Sequence, residues 1–544
     1  MKKIRRFLYL AFFAVAVVAF ISPLSLPAPK GLDYAGFSAE RVVADIKQIS
    51  KEPHSIEHPE ARADVRDYIA SRLSGMNLRP EYYQYDSVIN RFGEPMNIAN
   101  LYTRIDPPGG FADAYILFIA HIDSRFKTKV KGEYVYSLGA ADDGYGVGVI
   151  LELCSRLLKS RDQWKQGIKV LFTDSEESDL EGIKNALKSD SHIFYKVNLV
   201  INIEARGVKG PALMFETSPG NSKLMELYRE AKYPYAYSLT SSIYNILPNF
   251  TDFSCVKDNI PGFNFSVIDN LNYYHTDLDN YDNISLRSIQ HYGEQILPMA
   301  KAYLLNPDYA DMKVFSSADD RHFFTVPHIG LYIIKGKTLL IMQYVMVALL
   351  LLSILLLIGQ KRISLWGIIK ITALNLTAII TAALVGYGIS YLLAIISDQK
   401  FNPVKLTYID GEYIIIISSF VLIFFAYLSI CKYFVHKRRR HTYLDILSSG
   451  TILLTSISIA SYYTIGDNTL FFVPAAISTL TLMLNIFKFA KYTNFVGWSL
   501  IVIYLLPLFY CLIVALTIGA LAAFLALFVL YASVLIPISR KSIR

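Results

Sequence analysis

Cysteine is scarce in this chain, with four in 544 residues, and none falls in a C-x-x-C spacing. That excludes a dense disulfide framework and the usual cysteine-based zinc and redox motifs. Cys431 and Cys511 lie in apolar runs, and Cys154 and Cys255 read as buried free thiols rather than a pair. Charge is thin too, at 18% Asp, Glu, Lys and Arg. The net charge of +8 does not form a basic stripe interleaved with stacking aromatics, which argues against nucleic acid as a partner. The cations instead sit at the ends of apolar runs, where they act as topology signals. Lys2, Lys3, Arg5 and Arg6 precede the first run, Lys437–Arg440 separate two later ones, and Arg540, Lys541 and Arg544 follow the last.

Apolar residues are abundant, at 53%, and unevenly placed. The chain is too long for one ordinary core. It divides into an N-terminal transmembrane anchor (1–30), an α/β domain (31–311), a juxtamembrane linker (312–337) and a bundle of about seven transmembrane helices (338–544). Phe7 to Pro23 reads as an uncleaved anchor rather than a signal peptide, because the small-residue pattern near Leu26-Pro27-Ala28 is poor. Further spans are expected at about 338–359, 366–395, 412–434, 443–464, 469–487, 495–514 and 517–538. With a cytoplasmic N-terminus, a total of eight spans places every strongly basic loop and the C-terminal tail inside. The polar domain then lies outside the cytoplasm, on a bacterial cell membrane in preference to an endomembrane lumen. Lys370 and Asp445 fall near span ends, so the bundle reads as an anchor in the lipid bilayer rather than a transporter.

Within the polar part, helical periodicity over Ala39–Ile49, Pro59–Met76, Gly146–Leu158, Leu180–Leu187 and Ser285–Leu305 alternates with short apolar runs. The runs Ala114–Ala120, Ile168–Phe172, Val197–Ile203, Ala212–Glu216 and Gly262–Val267 read as strands, several continuous enough to be buried and parallel. The expected fold is an α/β domain with a mostly parallel sheet and helices on both faces. Ligands bind such sheets beyond the carboxyl ends of the strands.

Polar residues collect at those ends. His121-Ile122-Asp123 follows the first run, Thr173-Asp174-Ser175-Glu176-Glu177 the second and Glu204 the third. Gly139-Ala140-Ala141-Asp142-Asp143-Gly144 opens a helix, and Tyr273-Tyr274-His275-Thr276 follows the strand at 262–267. Imidazoles and carboxylates are the ligands of hydrolytic zinc, so this pattern predicts a metal site.

The ordered strings AHIDS, GAADDGYGVG, FTDSEES, NIEARG and YYHTDLDN resemble the M28 family of co-catalytic zinc peptidases over roughly residues 40–305. The stretch NIEARGVKGPALMFET and the following bundle are similar to its membrane-bound branch of endoplasmic-reticulum and vacuolar proteases and their bacterial relatives. The resemblance implies a zinc-exopeptidase-like fold, two zinc ions per chain and a peptide substrate, with aminopeptidase the preferred activity. It implies that His121 and Glu204 hold one zinc, His275 and Glu177 the other, and that Asp142 bridges. Glu176 would be the general base and Asp123 would orient His121. Asp143 would follow the bridge across a cis peptide, and Asp279 would support His275 or its loop. Arg206 would contact a substrate carboxylate or pair with a neighbouring Asp, and Tyr274 would contact substrate or pack on the sheet. The role of Asp252 stays open. An inactive receptor or scaffold and a single-zinc glutaminyl cyclase are the rival readings.

Overall fold

The computed structural model describes residues 2–21, 25–247, 249–404, 406–437, 443–487 and 490–543. The chain forms two compact units: Leu26–Lys335, and residues 1–25 together with Gly336–Arg544. Arg438–Arg440, Lys488 and Arg544, on which the orientation argument leans, lie outside the described residues.

In the membrane unit, α1 (Lys2–Ile21) opens the chain. In the polar unit come α2 (Ala39–Ile49), α3 (Pro59–Gly75), α4 (Gly144–Leu157), α5 (Glu181–Ser189), α6 (Ser222–Tyr228), α7 (Ser238–Tyr244), α8 (Asp252–Val256) and α9 (Leu286–Leu305). Its strands are β1 (Glu81–Ile89), β2 (Pro95–Ile105), β3 (Tyr115–His121), β4 (Thr128–Val130), β5 (Glu133–Val135), β6 (Gly167–Thr173), β7 (Val197–Ala205), β8 (Leu213–Thr217), β9 (Gly262–Val267), β10 (Arg321–Val326) and β11 (Gly330–Lys335).

Seven strands form one sheet in the order β1-β2-β6-β3-β7-β9-β8. The central four, β6, β3, β7 and β9, are parallel, and β1, β2 and β8 pair antiparallel at the margins. Strand parity explains the layers, because successive side chains point to opposite faces. Ile116, Phe118 and Ala120 of β3 join a core cluster with Val42, Val149 and Ile296 of α2, α4 and α9. Tyr115, Leu117 and Ile119 join a second cluster with Ile183 of α5 and Phe253 of α8. Both faces of the sheet are therefore covered, which is why β3, β6 and β7 are continuously apolar and buried.

Residues 312–337, expected as a linker, instead carry the β10–β11 hairpin. Phe315 and Phe323 are fully buried in the main core, and Thr325 N donates to Ala236 O at 3.0 Å. The segment is too rich in buried aromatic side chains to remain solvated.

The membrane unit adds α10 (Gly336–Gly359), α11 (Leu365–Ile396), α12 (Glu412–Lys437), α13 (Tyr443–Ile465), α14 (Thr469–Leu484), α15 (Ala490–Leu516) and α16 (Leu521–Ile543). Six of these helices are long and apolar enough to cross a membrane, so the chain is a multi-pass membrane protein. Phe7–Ile21 and Thr469–Leu484, counted among the eight expected spans, are helical but shorter. Tyr9 of α1 packs edge-on against Phe495 and Trp498 of α15. A Cβ on Gly386 would meet the Leu521–Ala522 backbone at 2.7 Å, so glycine lets α11 and α16 touch. Asp445 is buried and accepts from Ser364 N at 3.1 Å, whereas exposed Lys370 lies over the Trp366 ring.

Candidate metal centre

The carboxyl ends of β3, β6, β7 and β9 converge on one acidic cluster. His121 ends β3, where its Nδ1 donates to the Asp123 carbonyl at 2.9 Å, leaving the Nε2 lone pair free to bind. That Nε2 lies 3.2 Å from Asp142 Oδ1 and 3.7 Å from Glu204 Oε2. His275 Nε2 lies 3.2 Å from Asp142 Oδ2 and 2.8 Å from Glu177 Oε1. Asp142 thus presents one oxygen to each imidazole.

Two trios bring ligand-type atoms within 4.8 Å of one another: His121, Asp143 and Glu204, and Asp142, Glu177 and His275. Asp143 is otherwise engaged. Its Oδ1 caps α4 by accepting from Gly146 N at 2.9 Å, and its Oδ2 accepts from His121 N at 3.3 Å. Asp142 is the better-placed partner of His121. The Asp142–Asp143 peptide is cis.

The donor set fits metal ions. Asp142 Oδ2, Glu177 Oε1 and His275 Nε2 are buried and have no hydrogen-bond partner, although they crowd together. Ligand atoms of a tetrahedral zinc site stand about 3.3 Å apart, which is close to these spacings. The titration pattern expresses the same demand for cations. Burial opposes a charge on His121, yet the Asp123 and Asp142 carboxylates outweigh it and hold its pKa well above the usual value. Burial, then the Glu204 charge, pushes Glu176 well above the carboxylate range. Burial, reinforced by Asp142, pushes Glu204 up to about 8. So many buried carboxylates cannot all be ionised without positive charge among them.

Other side chains hold this arrangement. The Asp123 carboxylate accepts from Glu176 N at 3.0 Å and Glu177 N at 3.2 Å, and lies 3.5 Å from His121 Nδ1. It therefore orients the Glu176–Glu177 turn, while its carbonyl orients His121. Asp279 accepts from Ala141 N at 2.7 Å and Asp142 N at 3.2 Å. It supports the Asp142 loop rather than His275. Asn202 Nδ2 donates to Glu204 Oε1 at 3.1 Å, leaving Oε2 toward His121. Tyr274 stacks on His275 with ring centroids 3.6 Å apart, beside the cluster rather than against the sheet.

Two residues escaped the sequence reading, Arg125 and Tyr244, and Asp252 was left there without a role. Arg125 Nη1 lies 2.7 Å from Glu177 Oε2, and its guanidinium stacks 3.9 Å over Phe126. This leaves Glu177 a single unsatisfied oxygen for a metal. Asp252 accepts from Thr173 Oγ1 behind the cluster, and burial pushes its carboxyl up to about 6. Burial, then the Glu216, Glu204 and Glu176 charges, pushes the Tyr244 hydroxyl above its usual range. Asp174, in the same acidic string as Glu176, serves the fold: Arg62 and Arg66 of α3 pair with it at 3.3 and 3.2 Å. None of the four cysteines is in a disulfide, Cys255 is half-buried, and Asn264 of an Asn-x-Ser tripeptide is fully buried.

Residues 100–300 match the family model described as Peptidase family M28. The chain carries a peptidase family M28 domain. Endoplasmic reticulum metallopeptidase 1 of Mus musculus is 31% identical over 276 residues, covering 49% of this chain and 28% of that protein. The human protein of that name is 32% identical over 210 residues, covering 38% and 22%. Vacuolar membrane protease of Candida tropicalis is 26% identical over 259 residues, covering 45% and 27%. The chain thus spans between a fifth and a third of these relatives' lengths. Among solved structures, a Porphyromonas gingivalis glutaminyl cyclase has a TM-score of 0.40 at 19% identity, covering 49% of this chain and 99% of that one. A Zn-dependent exopeptidase from Parabacteroides distasonis has a TM-score of 0.37 at 20% identity, covering 48% and 97%. The four convergent parallel strands of the M28 domain carry its histidines and acids at the end of the sheet where ligands bind.

Proposed function

We propose that this M28 domain is a two-zinc exopeptidase, an aminopeptidase acting on peptides outside the cytoplasm. The observation that supports it best is Asp142, standing between His121 and His275 with one oxygen toward each. In this reading His121 and Glu204 would hold one zinc and His275 and Glu177 the other, with Asp142 available to both. Zinc supplies an electrophile that acidifies water and polarises a scissile carbonyl.

The rest falls to the chain's own groups. Glu176 is adjacent to Glu177 on a turn that Asp123 fixes by two backbone hydrogen bonds, so the two glutamates take separate roles. Its side chain has no hydrogen-bond partner among the described residues, and its raised pKa suits a group that must both accept and donate near neutrality. Glu176 takes a proton from the attacking water and delivers it to the leaving amine nitrogen. The Tyr274 hydroxyl, held by the stack on His275, donates toward the carbonyl oxygen as it gains charge.

The test is zinc content and hydrolysis of aminoacyl-p-nitroanilides by the purified protein and by Glu176→Gln. Two zinc ions in both proteins, with kcat lower by about 100-fold or more in the variant, are expected. A single tightly held zinc with cyclisation of N-terminal glutamine would favour a glutaminyl cyclase instead. Bound zinc without hydrolysis of free-amine or blocked peptides would favour a scaffold.

A further inference from the structure

Glu204 ends a buried row of polar side chains that crosses β7, β9 and β8. Asn202 and Glu204 alternate with Ile203 on β7, so both point to one face of the sheet. Asn202 is the register partner of Asn264 on β9, and Asn264 is that of Glu216 on β8. Asn202, Asn264 and Glu216 are fully buried. Asn202 Nδ2 donates to Glu204 Oε1 at 3.1 Å and to Asn264 Oδ1 at 3.0 Å. Asn264 Nδ2 donates to Glu216 Oε2 at 3.1 Å and to Thr251 Oγ1 at 2.9 Å. Lys257 Nζ closes the row, 2.5 Å from Glu216 Oε1 and 2.9 Å from Asn245 Oδ1.

These bonds have a direction. An ionised carboxylate only accepts, whereas an amide both donates and accepts. Glu216 therefore turns Nδ2 of Asn264 toward itself, which leaves Oδ1 of Asn264 facing Asn202. Asn202 in turn commits its Nδ2 to Asn264 and Glu204 together. Its own Oδ1 is buried and accepts from no described residue. A row that served burial alone would satisfy that oxygen too. The arrangement instead keeps a donor on Glu204 Oε1, while Oε2 lies 3.7 Å from His121 Nε2.

We propose that Asn202, Asn264 and Glu216, with Lys257 at the outer end, are positioning residues that fix the Glu204 carboxylate for a metal beside His121. The inference rests on the reading of Glu204 as a zinc ligand, and it extends that site to the edge strand β8. In Glu216→Gln the Lys257 ammonium takes the amide oxygen, and the new NH2 group faces Asn264. Asn264 and then Asn202 must turn over, and Asn202 presents Oδ1 to Glu204 in place of Nδ2. When Lys257→Met is added, no ammonium holds the new amide oxygen. It can then face Asn264, and the native order returns.

The test is the zinc dissociation constant of the full-length protein, measured by chelator competition, with thermal melts to confirm that each variant folds. Glu216→Gln is expected to weaken one zinc by about 10-fold, and Asn202→Leu, which removes the contact itself, by about 10–100-fold. The double variant is expected within about threefold of the wild type. Wild-type affinity in Glu216→Gln overturns the row. So does a double variant that binds no better than Glu216→Gln, which is what lost packing alone would give. If Glu216→Gln does not fold, Asn264→Ser decides: a loss of about 10-fold supports the row, and wild-type affinity overturns it. A wild type that binds no zinc overturns the metal reading and this one together. Zinc held equally by the wild type and every variant overturns this one alone.

Discussion

His291 shows how a buried residue with no part in the proposed chemistry carries a pH signature. Its Nδ1 accepts from Ala212 N at 3.0 Å and its Nε2 donates to Tyr233 O at 2.7 Å, a pattern only the neutral ring satisfies. Burial lowers its pKa to about 4, below the unfolded value near 6.5. The unfolded chain therefore binds the proton first, and the stability that His291 contributes is present above pH 6.5 and lost as pH falls toward 4. About 2 kcal/mol is expected to disappear between pH 7 and 5. Urea unfolding of residues 26–335, followed by the fluorescence of buried Trp164, would measure it. In His291→Gln the gap from wild type should narrow by that amount at pH 5. A constant gap would mean that His291 does not titrate this way. Residue identities at the metal cluster were legible because imidazole and carboxylate at strand ends have few structural uses. Their pairings were not: Asp174 and Glu177 lie in one string, yet one meets the arginines of α3 and the other His275.

Among elements, β3, β6 and β7 were easy to read because strands buried on both faces are unbroken apolar runs. The strand pair β1–β2 was not read, since Glu81–Ile89 is largely exposed and mixes tyrosine with polar residues. The β10–β11 hairpin was mistaken for a linker for a related reason. Its strands are short, and their apolar residues count only once Phe323 reaches the core. A fragment of residues 26–335 is expected to melt cooperatively. A fragment of residues 26–311 lacks Phe315 and Phe323 and should lose about 6 kcal/mol or more, most of a typical domain's stability. Circular-dichroism melts would show it. Two fragments melting within about 2 °C of each other would show that the hairpin contributes little.

For the whole molecule, the orientation argued from basic loops has a direct test. The loop between α11 and α12, residues 397–411, should face the same side as the peptidase unit, and Arg362 the cytoplasm. With the four native cysteines replaced by serine, a cysteine at Gln399 should react with an impermeant maleimide in intact cells. One at Arg362 should react only after permeabilisation. The reverse pattern would invert the topology and put the peptidase unit in the cytoplasm. Sequence alone determined the long apolar helices, the buried strands and the residue types gathered at their ends, because local periodicity and hydropathy express those features directly. Only the tertiary structure decided that Asp142 stands between two histidines, that Asp143 caps a helix and that Asp279 grips the Asp142 loop. These are contacts and hydrogen-bond directions between segments far apart in the chain, and no local pattern of residues encodes them.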